Sequence, residues 1–441
     1  MTRRVADLLA EGLVALGVQR VWGEAIPGLP TDDGMAHLRP RLIAVEDPEL
    51  SVLIADADGR LGLGDPSPRL GAALVPGGIL HLSTKPAGLA APLSVRTAEE
   101  LVDALAAAGQ SLVPDTMAIH LDLDLEDPIA DDLVARIDRP DGIVTTLNPS
   151  FADADVVVVV GPGVVRGGFT EGLRELARRT GWPVVNTWGA KGVFSWFDPH
   201  HGGTAGLQER DFELAGLAGA DLVVVSGLDP DESLIDALGS HVVLEVEPWQ
   251  LAALTYQWEP YRGDPPERLP LYAELSKVIT PLYERDGLPL SPARAALHLS
   301  GARPEGGLVV ADAGVAGFWL ARTFPTTEVG SVVVPATAIS GFAAAAALIA
   351  GITERPCIAV LDELDPVSEA ILELAESYGV ATAAQVWSEA GELADVDAHA
   401  RLSESQFAGR SGIVDVPVAV GDEDALLDVA GPVVAWTTPT A

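Results

Sequence analysis

The chain has 441 residues, of which 48% are hydrophobic, and a formal net charge of −37. This length predicts two or three domains, and the charge argues against nucleic acid or an anionic membrane as a partner. The longest apolar run, 342–351, is shorter than the roughly 20 residues that a membrane-spanning helix needs. Two interpretations of the charge stay open, namely attraction of a cationic partner and solvation of an acidic surface.

The cysteine and histidine residues narrow the class of protein further. The one cysteine, Cys357, excludes a disulfide framework, and we expect a cytoplasmic protein. The eight histidines form no Cys/His cluster with zinc-site spacing. We interpret the adjacent pair His200-His201 as a loop feature.

The first third of the chain alternates helical and strand patterns. A helix is predicted over 5–16 because its apolar residues recur at helical spacing, and a strand follows over 18–22. Another strand pattern leads to Glu46. Further on, the patterns predict a strand over 80–83, a helix over 97–108 and a strand over 117–125.

The middle of the chain has the clearest pattern. Five consecutive valines, 156–160, suit a strand that is buried on both faces. Further strands are predicted at 182–186, 222–226 and 242–246, with a helix over 169–180. Such alternation predicts a parallel sheet with helices on both faces, and ligands bind such sheets at the carboxyl ends of the strands. Gly161-Pro162-Gly163 lies at one such end, where it would either offer backbone N–H groups to a phosphate or form a tight turn.

The last third repeats this alternation. Strands are predicted at 308–311 and 358–361. A helix is predicted over 271–282, and Ser291-Pro292 begins another, with serine as N-cap and proline at the first helical position.

Several segments resemble the thiamine-diphosphate-dependent enzymes of the acetolactate synthase type. In the middle of the chain these are 184–194, 219–227 and 244–248. In the last third they are Asp312-Ala313-Gly314, Ser340-Gly341-Phe342 and 431–436, which looks like the family's last strand. The resemblance implies an α/β fold with three doubly wound parallel-sheet domains. These would be a shortened pyrimidine-binding-like domain (1–138), a central domain (139–270) and a shortened diphosphate-binding-like domain (271–441).

The resemblance also implies candidate site residues. Glu46 matches the glutamate that protonates the cofactor's aminopyrimidine ring, although Asp47 and Glu49 compete for that position. The candidate cofactor-binding residues are Gly161, Gly163, Asp312, Gly314 and Gly341.

The metal motif of the family is altered. The family holds Mg²⁺ and the diphosphate with Gly-Asp-Gly at a strand end, and this chain has Glu363-Leu364-Asp365 there. One interpretation is a lost site. The other is that Asp365 and Glu389 hold a metal in an altered geometry. Independently of any ligand, Asp365-Pro366 is an ordinary helix start, with aspartate as N-cap.

Three functional hypotheses follow. The preferred one is a non-catalytic relative that keeps the scaffold for binding or assembly, with no cofactor favoured. The second is a decarboxylase or carboligase of 2-oxo acids that uses thiamine diphosphate and Mg²⁺. The third is a nucleotide- or CoA-binding protein that uses the central domain. The resemblance also implies a homodimer or homotetramer.

Overall fold

The computed structural model describes residues 3–26, 29, 39–61, 70–84, 90–110, 116–135, 154–229, 232, 243–257, 261, 263–421 and 424–436. The chain divides into two compact units, Met1–Ile143 and Val144–Ala441. It contains three mostly parallel sheets accompanied by helices. The predicted α/β fold class is therefore confirmed.

The first unit holds a six-stranded sheet. Its strands are β1 (Arg20–Gly23), β2 (Arg41–Ala44), β3 (Gly71–Val75), β4 (Ile79–Ser83), β5 (Leu93–Val95) and β6 (Met117–Leu121), and its helices are α1 (Val5–Ala15), α2 (Pro48–Leu61) and α3 (Ala98–Gln110). The strand order is β2-β1-β3-β4-β6-β5. Strand β4 is antiparallel to both of its neighbours, and the other pairs are parallel.

The β3–β4 hairpin departs from the predicted all-parallel sheet. Gly77 and Gly78 in its turn have φ values of +87° and +71°, which residues with a Cβ rarely adopt. The sequence analysis predicts only the second strand of this hairpin. Two glycines between apolar runs are nevertheless a recognisable hairpin signal.

Helix α2 packs closely against this sheet. A Cβ at Gly71 would lie 1.7 Å from the carbonyl oxygen of Ala55, so the helix can approach β3 only at a glycine. Asp58 on the same helix accepts hydrogen bonds from Arg20 Nε at 2.8 Å and from Trp22 Nε1 at 3.1 Å. These contacts fix the helix that follows Glu46.

The second unit begins with a five-stranded parallel sheet. Its strands are β7 (Val156–Val160), β8 (Val184–Thr187), β9 (His201–Ala205), β10 (Leu222–Ser226) and β11 (Val243–Glu245), and its helices are α4 (Pro162–Arg166), α5 (Thr170–Thr180), α6 (Asp211–Leu214) and α7 (Leu251–Thr255). The order is β11-β10-β7-β8-β9. The predicted strands 156–160 and 222–226 are confirmed with the same bounds.

A second five-stranded parallel sheet completes the unit. Its strands are β12 (Leu308–Ala311), β13 (Val332–Val333), β14 (Cys357–Leu361), β15 (Ala383–Ser388) and β16 (Gly412–Pro417). Its helices are α8 (Pro270–Glu284), α9 (Pro292–Ala302), α10 (Val315–Thr323), α11 (Phe342–Ile352), α12 (Pro366–Ser377), α13 (Val396–Phe407) and α14 (Asp424–Ala430). The order is β13-β12-β14-β15-β16. The predicted cap at Ser291 is confirmed, because its side chain accepts a hydrogen bond from Arg294 N at 3.1 Å.

The predicted last strand over 431–436 is wrong. Val433 forms a single antiparallel bridge with Gln208, and Gln208 Nε2 donates to the carbonyl oxygen of Gly431 at 2.6 Å. This segment therefore pairs with the loop that follows β9. The last strand of the third sheet is β16.

Each of the three predicted domains contains one sheet. The boundary at 138/139 lies outside the described residues, and the three-domain division stays a prediction. In the described part of the chain, no helix is long and apolar enough to cross a membrane.

Candidate functional site

Three aspartates lie at the carboxyl end of the third sheet. Asp312 follows β12, Asp362 follows β14, and Asp365 stands three residues later. β12 and β14 are parallel neighbours, with Ala311 paired to Val360. The strand ends therefore meet at one edge, which is where open α/β sheets bind ligands.

Each aspartate accepts hydrogen bonds from the first turn of a different helix. Asp312 accepts from the amide of Ala343 in α11 at 2.8 Å. Asp362 accepts from the amides of Val315 at 2.9 Å and Ala316 at 2.7 Å in α10. Asp365 caps α12, accepting from the amides of Val367 at 2.9 Å and Ser368 at 3.2 Å. A helix N-terminus carries unsatisfied N–H groups and a partial positive charge, which favour an anion. Here the anions are side chains of the chain itself.

The three carboxyl groups differ in their acidity. Burial raises the pKa of Asp312 to about 7, and the nearby charges of Asp365 and Asp362 act in the same direction. The hydrogen bond from Ala343 acts to lower this pKa but is outweighed. Burial likewise raises the pKa of Asp362. Burial also acts to raise the pKa of Asp365, but hydrogen bonds, chiefly from Ser368, outweigh it, so that its pKa is lowered.

The predicted glycines support this arrangement. A Cβ at Gly314 would lie 2.0 Å from Asp362 Oδ2, so the carboxylate occupies the space that this glycine leaves open. Gly341 has a φ of +82° and stands as N-cap of α11. The structure thus brings Asp312, Gly314 and Gly341 to one edge, and their role in binding a cofactor stays a prediction. It adds Asp362, which the sequence analysis does not select.

The alternative metal pair is arranged differently. Both oxygens of Asp365 are engaged in the helix cap, since Ser368 Oγ donates to Oδ2 at 2.6 Å. The predicted N-cap role of Asp365 is confirmed. Glu389 follows β15 and is exposed. No group of three or more His, Cys, Asp or Glu side chains among the described residues is arranged to hold a metal ion.

The central sheet uses its predicted glycines in packing. Gly161 N donates to the carbonyl oxygen of Ser226 at 2.9 Å, and Gly163 N donates to that of Gly227 at 2.8 Å. A Cβ at Gly161 would lie 2.4 Å from the carbonyl oxygen of Gly227. These amides therefore hold the ends of β7 and β10 together, which is the tight-turn alternative.

Carboxylates also occupy this second edge. Glu232 accepts hydrogen bonds from Thr187 Oγ1 at 2.6 Å and from Gly189 N at 3.1 Å. Asp229 forms a buried pair with Arg166, with N–O distances of 2.8 and 2.5 Å. Sequence reasoning did not select either acid, because their partners come from different strand ends.

Glu46 belongs to the first unit. It lies two residues beyond β2, an edge strand, and its side chain is exposed. Its neighbour Asp47 accepts from the amide of Glu49 at 2.8 Å at the start of α2. Asp47 is thus engaged in the helix start through its carboxylate and Glu49 through its backbone amide only, and the assignment of Glu46 stays a prediction.

The central sheet also resembles a known domain. Residues 152–244 match the family model described as "Thiamine pyrophosphate enzyme, central domain". The match covers the central sheet and shows that this part of the chain resembles the central domain of thiamine pyrophosphate enzymes. A segment of this chain is 41% identical over 86 residues to an acetolactate synthase of Mycobacterium leprae. Another match is 39% identical over 84 residues to an acetolactate synthase of Mycobacterium bovis.

These matches cover only part of each protein. They span 19% of this chain and 13% to 14% of the two acetolactate synthases. A solved structure from Mycobacterium smegmatis, provisionally assigned as a thiamin diphosphate-dependent enzyme, aligns with 95% of this chain and 100% of its own, at a TM-score of 0.63. At 16% identity, that likeness establishes a shared fold.

Proposed function

We propose that this protein is a non-catalytic relative of the acetolactate synthase type, which keeps the scaffold for binding or assembly. The observation that supports this proposal is the occupation of three helix N-termini by Asp312, Asp362 and Asp365. In the family, the corresponding edge holds a diphosphate. Here its N–H groups already donate to carboxylates.

The energetic argument has two parts. A diphosphate that took these N–H groups would displace side-chain caps, each of which contributes about 1 kcal/mol. It would also face the ionised carboxylate of Asp365, whose pKa is lowered, and two unit charges 4 Å apart interact by about 4 kcal/mol at an effective dielectric constant near 20. Both terms oppose binding. The residues present therefore do not fit a magnesium diphosphate.

The metal motif supports the same conclusion. Leu364 stands where the family's metal-binding aspartate is expected, and Glu363 replaces a glycine. Both side chains are exposed. The Asp365–Glu389 alternative has no supporting contact among the described residues, because the Asp365 carboxylate is bound within its own helix.

A turnover assay tests the proposal. The purified protein is incubated with thiamine diphosphate, Mg²⁺ and pyruvate, and the consumption of pyruvate is followed beside an active acetolactate synthase. We expect no consumption above the protein-free control. Turnover that Glu46→Gln abolishes would contradict the proposal and favour the decarboxylase or carboligase alternative.

The nucleotide or CoA alternative needs a separate test. We expect no thermal stabilisation by ADP, FAD or CoA, because the amides of Gly161 and Gly163 already bind carbonyl oxygens. A ligand at 100 times its dissociation constant would add about 2.7 kcal/mol. A shift with one of the three ligands would favour that alternative.

A further inference from the structure

Lys191 is an unusual residue in this chain. The sequence contains three lysines, and this one is only 3% exposed. Its Nζ has no hydrogen-bond partner and lies 4.9 Å from the centre of the Trp196 ring. The ring offers a cation–π contact, but a buried ammonium without a hydrogen-bond partner or a counter-charge is still disfavoured.

Residues near Trp196 or Lys191 also carry unpartnered polar atoms. His201 is 1% exposed, neither of its ring nitrogens has a partner, and its ring centre lies 5.6 Å from that of Trp196. Thr326 is fully buried with an unpartnered hydroxyl, and its carbonyl oxygen accepts from Trp196 N at 2.9 Å. Arg322 is buried as well, and its Nε has no partner. This group is called the Lys191 cluster below and consists of Lys191, His201, Arg322 and Thr326.

The cluster has an excess of positive charge. The one carboxylate that pairs with Arg322 is Asp211, both of whose oxygens lie 2.8 Å from Arg322 Nη2. Burial, followed by the charge of Arg322, lowers the pKa of Lys191 to about 7. Burial, followed by the charges of Lys191 and Arg268, lowers the pKa of His201 to about 3. No carboxylate among the described residues forms an ion pair with Lys191.

We propose that the Lys191 cluster binds a small monovalent anion, of the size of chloride, bromide or formate. The Lys191 ammonium would supply the charge, while Arg322 Nε, the Thr326 hydroxyl and the N–H of His201 would supply further donors. One buried anion satisfies donors that otherwise carry a desolvation penalty. A water molecule could accept some of these hydrogen bonds, but it would leave the ammonium without a counter-charge. The site goes beyond the proposed function, since it uses none of the residues at the diphosphate edge.

The test compares salts at equal ionic strength. Thermal unfolding is measured in sodium chloride, in sodium bromide and in sodium gluconate, whose anion is too large for an enclosed site. We expect the wild-type protein to unfold a few degrees higher in the halides, as mass action requires for a ligand of the folded state. Lys191→Met should lose this difference and should be more stable than wild type in gluconate. The exposed Lys277, whose Nζ pairs with Glu274 at 2.6 Å, gives the matched control Lys277→Met.

Diffraction from bromide-containing crystals of the wild-type protein tests the site directly. We expect an anomalous peak within hydrogen-bonding distance of Lys191 Nζ, and this measurement stands even if Lys191→Met fails to fold. The proposal is overturned if no peak occurs there, if the wild type unfolds alike in all three salts, or if Lys191→Met keeps the halide effect. Each of these results would identify Lys191 as a neutral buried amine. Because the assay contains no thiamine diphosphate, its failure would not bear on the proposed function.

Discussion

Replacing Asp312 by asparagine should stabilise the protein above neutral pH. The pKa of Asp312 is raised from 3.8 to about 7, so folding favours its protonated form. Its contribution to stability is therefore complete below pH 3.8 and is lost as the pH rises through about 7. Asparagine keeps an oxygen for the amide of Ala343 and has no proton to lose.

The magnitude follows from the size of the shift. Three pKa units correspond to about 4 kcal/mol. Asp312 is only partly buried, and solvent screening reduces its electrostatic energy. We therefore expect the stability of Asp312→Asn relative to the wild type to be about 1–2 kcal/mol greater at pH 8 than at pH 5.

Denaturant titrations of the wild type and of Asp312→Asn at pH 5 and at pH 8 measure this difference in the free energy of unfolding. Asp365→Asn is the matched control, because the pKa of Asp365 is lowered. The Asp365 carboxylate is ionised at both pH values, and asparagine is a comparable N-cap, so this replacement should change the stability little, and by the same amount at each pH. The reasoning is refuted if Asp312→Asn shows no gain at pH 8, or if the two variants respond to pH alike.

Three further predictions concern packing, acid stability and assembly. Gly314→Ala should destabilise the protein by about 1–3 kcal/mol, because the new Cβ would lie 2.0 Å from Asp362 Oδ2. In denaturant titrations, the double variant with Asp362→Ala should recover part of that loss. Burial, followed by the charge of His298, lowers the pKa of His399 to about 3 from 6.5, so its contribution to stability is lost as the pH falls below 6.5. The measurement is made in the Asp312→Asn background, where the opposing titration of Asp312 is absent. There, the free energy of unfolding should fall by about 1.4 kcal/mol for each pH unit below 6.5 because of His399, and His399→Gln should flatten this dependence on pH. Light scattering at micromolar concentration should give a homodimer or homotetramer, and a monomer would refute the assembly prediction.

Much of the fold follows from local pattern. The valine run of β7 and the apolar run of β10 predict buried parallel strands with correct bounds, because few other structures suit them. The β3–β4 hairpin is missed because β3 is a short small-residue strand. The 431–436 segment is apolar enough for a strand, but its partner is the loop at Gln208. Such a pairing depends on tertiary packing, which periodicity does not report.

The candidate site is less predictable for a related reason. The N-cap role of Asp365 can be predicted from the sequence, because a cap and its helix are adjacent in the chain. Asp362 caps a helix that begins at Val315, 47 residues away along the chain. Lys191 and His201 are likewise joined only by the fold, and the sequence analysis treats His201 as part of a loop, whereas it begins β9. Local reasoning therefore finds self-contained motifs and misses sites assembled from distant segments.

Calorimetric titration with thiamine diphosphate tests the central claim most directly. The claim is that Asp312, Asp362 and Asp365 occupy the edge at which a diphosphate would bind. Titrations with millimolar Mg²⁺ and with EDTA should both show no binding in the micromolar range. Micromolar binding in Mg²⁺ that disappears in EDTA would contradict the account, because it would mean that a metal ion and a diphosphate displace the aspartates from their helices.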